Sequence, residues 1–253
     1  MKNPQLMSNS KKDLIYGIRS IIETIRAGKT IDKLFIQRGL NNDLFAELWK
    51  LVRIERINYK HVPAEKINRI TKKNHQGVVA FLSPIDFHKL ENVVPEIYER
   101  GKTPLIIILD NITDVRNFGA IARSAECLQV DAILVPEKNF ASINSDAVKT
   151  SAGALSKIKV CRSWNFQKSI QFLKESGLKI VACSEKGNKK ISDFNFTHPV
   201  AVVMGSENLG ISKDILKICD TSLRIDLFGT INSLNVSVAT AIVLYEIQSQ
   251  RNE

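Results

Sequence analysis

Ser233-Leu234-Asn235-Val236-Ser237-Val238-Ala239 lies between the Phe228-Gly229 turn and a long apolar segment that runs to Ile247. Ser233 carries the side-chain oxygen wanted at a helix N-cap, and the residues after it keep helical spacing, so the stretch predicts a loop that becomes a helix. Asn235 then falls in the first turn, where its amide and the free backbone N–H groups suit a polar ligand. Taken alone, the plainer reading is an N-capped core helix. That helix is apolar on more than one face, through Val236, Val238, Ala239, Ile242, Val243, Leu244 and Ile247, and one sheet face gives it too little cover.

Two earlier stretches shift the balance. Val200-Ala201-Val202-Val203-Met204 reads as a buried strand that breaks into Gly205-Ser206-Glu207-Asn208-Leu209-Gly210, a glycine-bracketed loop with one carboxylate. Open α/β sheets bind ligands at that edge, beyond the carboxyl ends of their strands. Upstream, Leu105-Ile106-Ile107-Ile108-Leu109 is another apolar run, followed by Asp110-Asn111 and then by Asn117-Phe118-Gly119-Ala120-Ile121-Ala122-Arg123-Ser124-Ala125. In order and spacing the three stretches resemble the motifs of the SpoU (TrmH) family of RNA ribose 2'-O-methyltransferases, over roughly Pro104 to the C-terminus.

The resemblance implies an α/β catalytic domain of the SPOUT type, a parallel sheet with a deep trefoil knot, and a homodimer packed through neighbouring helices of this C-terminal domain. It also implies S-adenosylmethionine as methyl donor, held by loops rather than by a G-x-G-x-x-G turn, which this chain lacks. The positions matching the family's donor contacts are Gly205, Glu207, Gly210, Ile225 and Leu234. Arg123 matches the catalytic arginine, Glu207 the motif glutamate that orients Arg123 or a substrate hydroxyl, and Asn117, Ser233 and Asn235 the polar residues that complete the site. Arginine is a poor base because its pKa lies above about 12, so a phosphate-holding and alkoxide-stabilising role suits Arg123 better. Without the family, Arg123 reads as a surface helix residue paired with Glu126 or Asp131. The sequence departs from the family where Val115 replaces a proline and where Asp226-Leu227 replace Pro-Met. Asp226 places a carboxylate beside the expected adenine loop.

Composition is consistent with this picture without specifying it. At 253 residues, 44% hydrophobic and 25% charged, the chain is long enough for one or two folded domains. A formal net charge of +10 favours a polyanionic partner such as RNA. Cys127, Cys161, Cys183 and Cys219 are scattered and have no histidine at ligand spacing, so reduced thiols and no metal are expected. Residues 1–12 lack a signal-peptide core and no apolar run is long enough to span a bilayer; a soluble, cytoplasmic protein is expected.

The N-terminal third reads as a small α/β unit over 13–84. Asp13 is placed to cap a helix carrying Leu14, Ile18, Ile21, Ile22 and Ile25, ending at Gly28. A strand at 34–36, a helix capped by Asn41 or Asn42, a strand over 57–62, a short helix opened by Pro63 and a strand over 78–82 follow. Tyr16-Gly17 in the first helix and His75-Gln76-Gly77-Val78-Val79 resemble the L30e-like substrate-binding domain that precedes the catalytic domain in many SpoU enzymes. Arg69, Lys72, Lys73 and His75 form a basic cluster beside it, suited to phosphate contacts or merely solvated. The pattern loosens from 85 to 103, which is read as a linker. Small residues over 145–155 predict a helix, and Gly187 to Lys190 a solvated basic loop. With this layout the resemblance is strongest to enzymes that methylate a guanosine of 23S rRNA. A tRNA substrate and a non-catalytic RNA-binding or ribosome-assembly protein of the same fold are the alternatives.

Overall fold

The structure is a computed structural model that describes residues 14–141 and 143–252, so the expected cap at Asp13 lies outside the described residues. The chain divides into two compact units, one formed by residues up to 86 with 143–145, the other by the remainder.

The first unit runs β1 (Leu14–Tyr16), α1 (Ile18–Arg26), β2 (Ile31–Gln37), α2 (Asp43–Ile54), β3 (Tyr59–Val62), α3 (Ala64–Ile70) and β4 (Val78–Leu82). Its sheet has the order β1-β4-β2-β3, with only β2 and β3 parallel. The sequence placed Leu14 and Tyr16 on the first helix; instead they form an edge strand paired with Phe81 and Val79. Gly17 separates strand from helix because its φ of 88° is open to glycine and strained for other residues. Gln76 completes the junction, its Oε1 accepting from the Ile18 N–H at 3.1 Å. Asn42 is the cap of α2, its side chain accepting from the Phe45 N–H. One face of the sheet buries Leu34 and Ile36 under Ile21, Ile22, Leu48 and Val52 of α1 and α2, and the other packs Phe35 and Val79 against Ile67 of α3.

The second unit contains β5 (Phe87–His88), α4 (Leu90–Glu99), β6 (Leu105–Asp110), α5 (Val115–Cys127), β7 (Ala132–Pro136), α6 (Ser145–Thr150), β8 (Lys159–Ser163), α7 (Phe166–Glu175), β9 (Lys179–Cys183), β10 (Lys189–Lys190), β11 (Val200–Gly205), α8 (Lys213–Leu216), β12 (Thr221–Arg224) and α9 (Val236–Arg251). The expected linker is thus part of this unit: β5 pairs with β8, and Leu90, Val93, Val94 and Ile97 of α4 are buried in the core. Its prolines misled the reading, because Pro95 sits inside a helix that apolar packing holds in place. The predicted helix over 145–155 stops at Thr150, since Ala152 and Gly153 take positive φ.

All strands of the second sheet are parallel, in the order β10-β12-β9-β11-β6-β7-β8-β5. Every side chain of β6 is buried, as expected for a central strand covered on both faces. Each such aliphatic side chain contributes about 1.5–3 kcal/mol on burial. From β6 the chain builds outward through β7 to β8, then returns to the opposite side for β9, and β11 fills the place between β9 and β6. The strand order therefore reverses at the β6–β11 pair, where doubly wound sheets open a crevice beyond the strand ends. α9 packs along α5, and its far end is fixed by Arg251, whose guanidinium donates to the carbonyls of Thr103, Pro104, Phe196 and His198.

Candidate functional site

The crevice at the β6–β11 switch point is floored by Asp110 and Gly205, which are register partners at the ends of their strands. Asp110 is buried, and its carboxylate accepts from the Asn111 amide at 2.9 Å and from the Ser212 N–H at 2.7 Å. It thereby ties the far end of the 206–212 loop to β6. Sequence reading assigned Asp110 no role; the available signal was a carboxylate closing a strand of otherwise aliphatic residues. Gly205 and Gly210 close the loop onto itself. A Cβ on Gly205 would lie 2.2 Å from the Gly210 carbonyl carbon, and Gly210 takes a φ of 63°.

Three sequence stretches meet on this loop. The Glu207 Oε1 accepts from the Asn117 amide at 3.3 Å, from the Val236 N–H at 3.3 Å and from the Asn235 amide. The same Asn235 amide donates to the Asn117 Oδ1 at 3.0 Å. Glu207 therefore joins the start of α5 to the start of α9, and sits where a helix N-terminus attracts negative charge.

α5 begins at Val115 with Asp114 as cap, its Oδ1 accepting from the Arg116 and Asn117 N–H groups, so Asn117 lies in the first turn. The start of α9 differs from the sequence reading. α9 begins at Val236 with Asn235 as its cap, Oδ1 accepting from the Ser237 N–H at 2.9 Å. Ser233 is exposed in the preceding loop and caps nothing, because α9 starts only at Val236.

Arg123 lies on α5, exposed and without a hydrogen bond or ion pair among the described residues. The partners considered for it are engaged elsewhere, Glu126 with Lys157 and Asp131 with Lys102. Its neighbour on the helix face, Gly119, is filled by protein: a Cβ there would meet the Thr150 Cβ at 2.7 Å and the Ala147 carbonyl at 2.9 Å. The structure thus brings Asn117, Glu207 and Asn235 into one network, with Arg123 and Ser233 outside it.

Ile225 and Leu234 are half-buried at the two ends of the 226–233 loop. Asp226 is paired, with Oδ2 2.7 Å from the Lys190 Nζ and Oδ1 3.4 Å from the Arg224 Nε. The hydrogen bond from Lys190 holds the Asp226 carboxyl below the usual carboxylate range, and the same bond raises the Lys190 ammonium. The 187–190 stretch, expected to be a solvated loop, carries this cation on β10, which pairs with β12. Gly187 permits the approach, since a Cβ there would sit 2.2 Å from the Leu223 backbone.

In the first unit Arg69, Lys72 and Lys73 are exposed on and just after α3, with the Lys73 ammonium 5.4 Å from the centre of the Tyr16 ring. His75 is engaged in the turn before β4. Its Nδ1 accepts from the Gly77 N–H at 3.0 Å, which leaves Nε2 to donate to the Asn68 Oδ1 at 2.8 Å. Among the described residues no cluster of metal-ligating side chains occurs, and no helix is long and apolar enough to cross a membrane.

Comparison with known proteins finds two family matches along the chain. Residues 104–245 match the SpoU rRNA Methylase family, and residues 14–88 match the RNA 2'-O ribose methyltransferase substrate binding family. A protein of Staphylococcus saprophyticus named for the TrmH family of tRNA/rRNA methyltransferases is 31% identical over 239 residues, 94% of this chain and 96% of the relative. Among solved structures, the SpoU methyltransferase AviRb from Streptomyces viridochromogenes in complex with AdoMet is 24% identical, with a TM-score of 0.60 over 94% of this chain and 90% of that one. A TrmH/SpoU tRNA modifying enzyme from A. aeolicus is 30% identical, with a TM-score of 0.54 over 64% of this chain and 84% of that one.

Proposed function

The chain belongs to the SpoU rRNA methylase family, and on that premise we propose that it transfers a methyl group from S-adenosylmethionine to the ribose 2'-OH of a guanosine in 23S rRNA. The observation that carries this reading is the Asn117–Glu207–Asn235 network at the β6–β11 switch point. The network sets a carboxylate and two amides at the mouth of a parallel sheet, where doubly wound folds hold their ligands.

The residues fit the donor. Ile225 and Leu234 offer apolar contact to an adenine, and the 205–210 loop offers backbone groups for its polar edge. Lys190 and Arg224 neutralise Asp226, so the departure from the family's Pro-Met leaves no bare charge there. When bound, the donor supplies a methyl group on a sulfonium. The chain's own residues do the rest. Glu207 fixes the start of both helices so that the polar edges of Asn117 and Asn235 are set in advance, and Arg123, unpaired, is available to a phosphate and to charge developing on the 2'-oxygen. Ser233 remains available to substrate because it caps no helix. Arg69, Lys72 and Lys73 supply phosphate contacts in the first unit. Val238, Ile242 and Tyr245 form an exposed stripe on α9 at i, i+4, i+7, which we assign to a homodimer contact.

The test is transfer of radiolabel from methyl-labelled S-adenosylmethionine to total RNA of a strain lacking the gene, followed by size separation and ribose mapping. Label on a large-subunit rRNA guanosine is expected. Label in tRNA moves the assignment to that substrate, and absence of donor binding returns the protein to a non-catalytic RNA-binding role.

A further inference from the structure

β3 is an edge strand, and its side chains alternate between the two faces of the first sheet. Tyr59 and His61 are aligned with Leu34 and Ile36 of β2, on the face that α1 and α2 cover. At the edge that cover runs out. Tyr59 and His61 are exposed, Tyr59 by 41%. Trp49 of α2 props both rings: its centroid is 4.9 Å from Tyr59 and 6.0 Å from His61, and Tyr59 and His61 are 5.5 Å apart. Phe45 stacks on Trp49 from the core side at 6.1 Å. Neither the Tyr59 hydroxyl nor the His61 ring makes a hydrogen bond among the described residues.

The charge around the rings is positive. Lys50, Arg53 and Arg56 on and after α2 are all exposed and make no ion pair among the described residues. Nearby Glu47 is already paired with Arg26 at 2.7 Å, which leaves Glu55 as the opposing carboxylate in this stretch. Aromatic faces held rigid beside cations are how proteins take up unpaired nucleobases, stacking the base and contacting the flanking phosphate; a duplex hides its base faces from such a surface.

We propose that Tyr59 and His61, backed by Trp49, form a stacking platform for unpaired bases of the RNA substrate, with Arg53, one helical turn after Trp49, on the adjoining phosphate. The inference rests on the reading of the protein as an RNA methyltransferase. It adds a base-reading surface on the face of the sheet opposite the Arg69–Lys73 cluster, and it restricts the substrate to RNA with a single-stranded element.

The probe is a short oligouridine added to the full chain carrying Trp164→Phe, which leaves Trp49 as the sole tryptophan. Quenching of Trp49 fluorescence is expected on binding. Tyr59→Ala weakens oligouridine binding about tenfold, the loss of a stacking partner, and leaves the salt slope unchanged because no charge is removed. Tyr59→Phe retains the affinity. An unaltered dissociation constant in Tyr59→Ala, or an equal loss for a duplex of the same length, overturns the proposal; unaltered circular dichroism guards against misfolding. Label transfer is assayed in parallel. A protein that binds oligouridine with quenching but methylates no RNA keeps the platform and sinks the enzymatic reading, and one that methylates RNA with Tyr59→Ala indistinguishable in binding does the reverse.

Discussion

The Asp226 carboxylate lies 2.7 Å from the Lys190 ammonium, across the gap between the 226–233 loop and β10. A carboxylate next to a donor-binding loop would be expected to alter affinity for a cationic sulfonium, and the pairing removes that effect at its source. The pair is also insensitive to ordinary pH. Asp226 is lowered, so its contribution is present above about 3.9 and lost as pH falls through the depressed value. Lys190 is raised, so its contribution is present below about 10.4 and lost as pH rises through the elevated one. Asp226→Asn should therefore leave the dissociation constant for S-adenosylmethionine within about fivefold of the parent, as is usual for an exposed pair, and flat between pH 5.5 and 9. Calorimetric titration decides it, and a loss well beyond that range would mean that the carboxylate itself contacts the donor.

Arg123 carries the largest predicted effect on turnover. It has no structural partner among the described residues, so its removal should cost little stability. Arg123→Ala should lower the rate of methyl transfer by about two to four decades while donor binding stays intact. Near-normal single-turnover rates in that variant would remove Arg123 from the chemistry.

The elements that position the site were legible because each rests on a local rule. The aliphatic run of β6, five residues between Pro104 and Asp110-Asn111, has the length and composition of a buried strand, and the glycine-bracketed loop after Met204 marks a strand end. What escaped was decided by partners distant in sequence. Leu14 fits a helical stripe as well as a strand, and pairing with Phe81 settles it. Ser233 and Asn235 are both competent caps two residues apart; the Glu207 carboxylate, which binds the Asn235 amide and the Val236 N–H together, selects the second. Pro95 looked like a linker signal until apolar burial of its neighbours held the helix around it. Lys190 looked solvated because Asp226 is thirty-six positions away along the chain.

Gly205 is the point where loop geometry tolerates no side chain. A Cβ there meets the Gly210 carbonyl carbon at 2.2 Å and the Ile211 nitrogen at 2.4 Å, and both are backbone atoms that cannot rotate away. Gly205→Ala should destabilise the second unit by about 1–3 kcal/mol, the usual cost of overpacking, and should weaken donor binding together with stability. Denaturant unfolding checks the first effect and calorimetry the second; a fully stable variant would mean that the 206–210 loop opens without penalty.

Asn235 and Ser233 give a paired test of where α9 begins. The Asn235 side chain accepts from the Ser237 N–H while its amide bridges Asn117 and Glu207, so one residue caps the helix and fastens the network. Asn235→Ala should cost about 1 kcal/mol, the typical worth of an N-cap, and should lower turnover as well because Asn117 and Glu207 lose their shared donor. Ser233→Ala removes no cap and should fall within about 0.5 kcal/mol of the parent. Any fall in turnover for Ser233→Ala then reports contact with substrate, since stability is untouched. The measurement is urea unfolding of both variants beside their methyl-transfer rates. A greater loss of stability in Ser233→Ala than in Asn235→Ala would move the helix start back to Ser233 and detach Asn235 from the capping role.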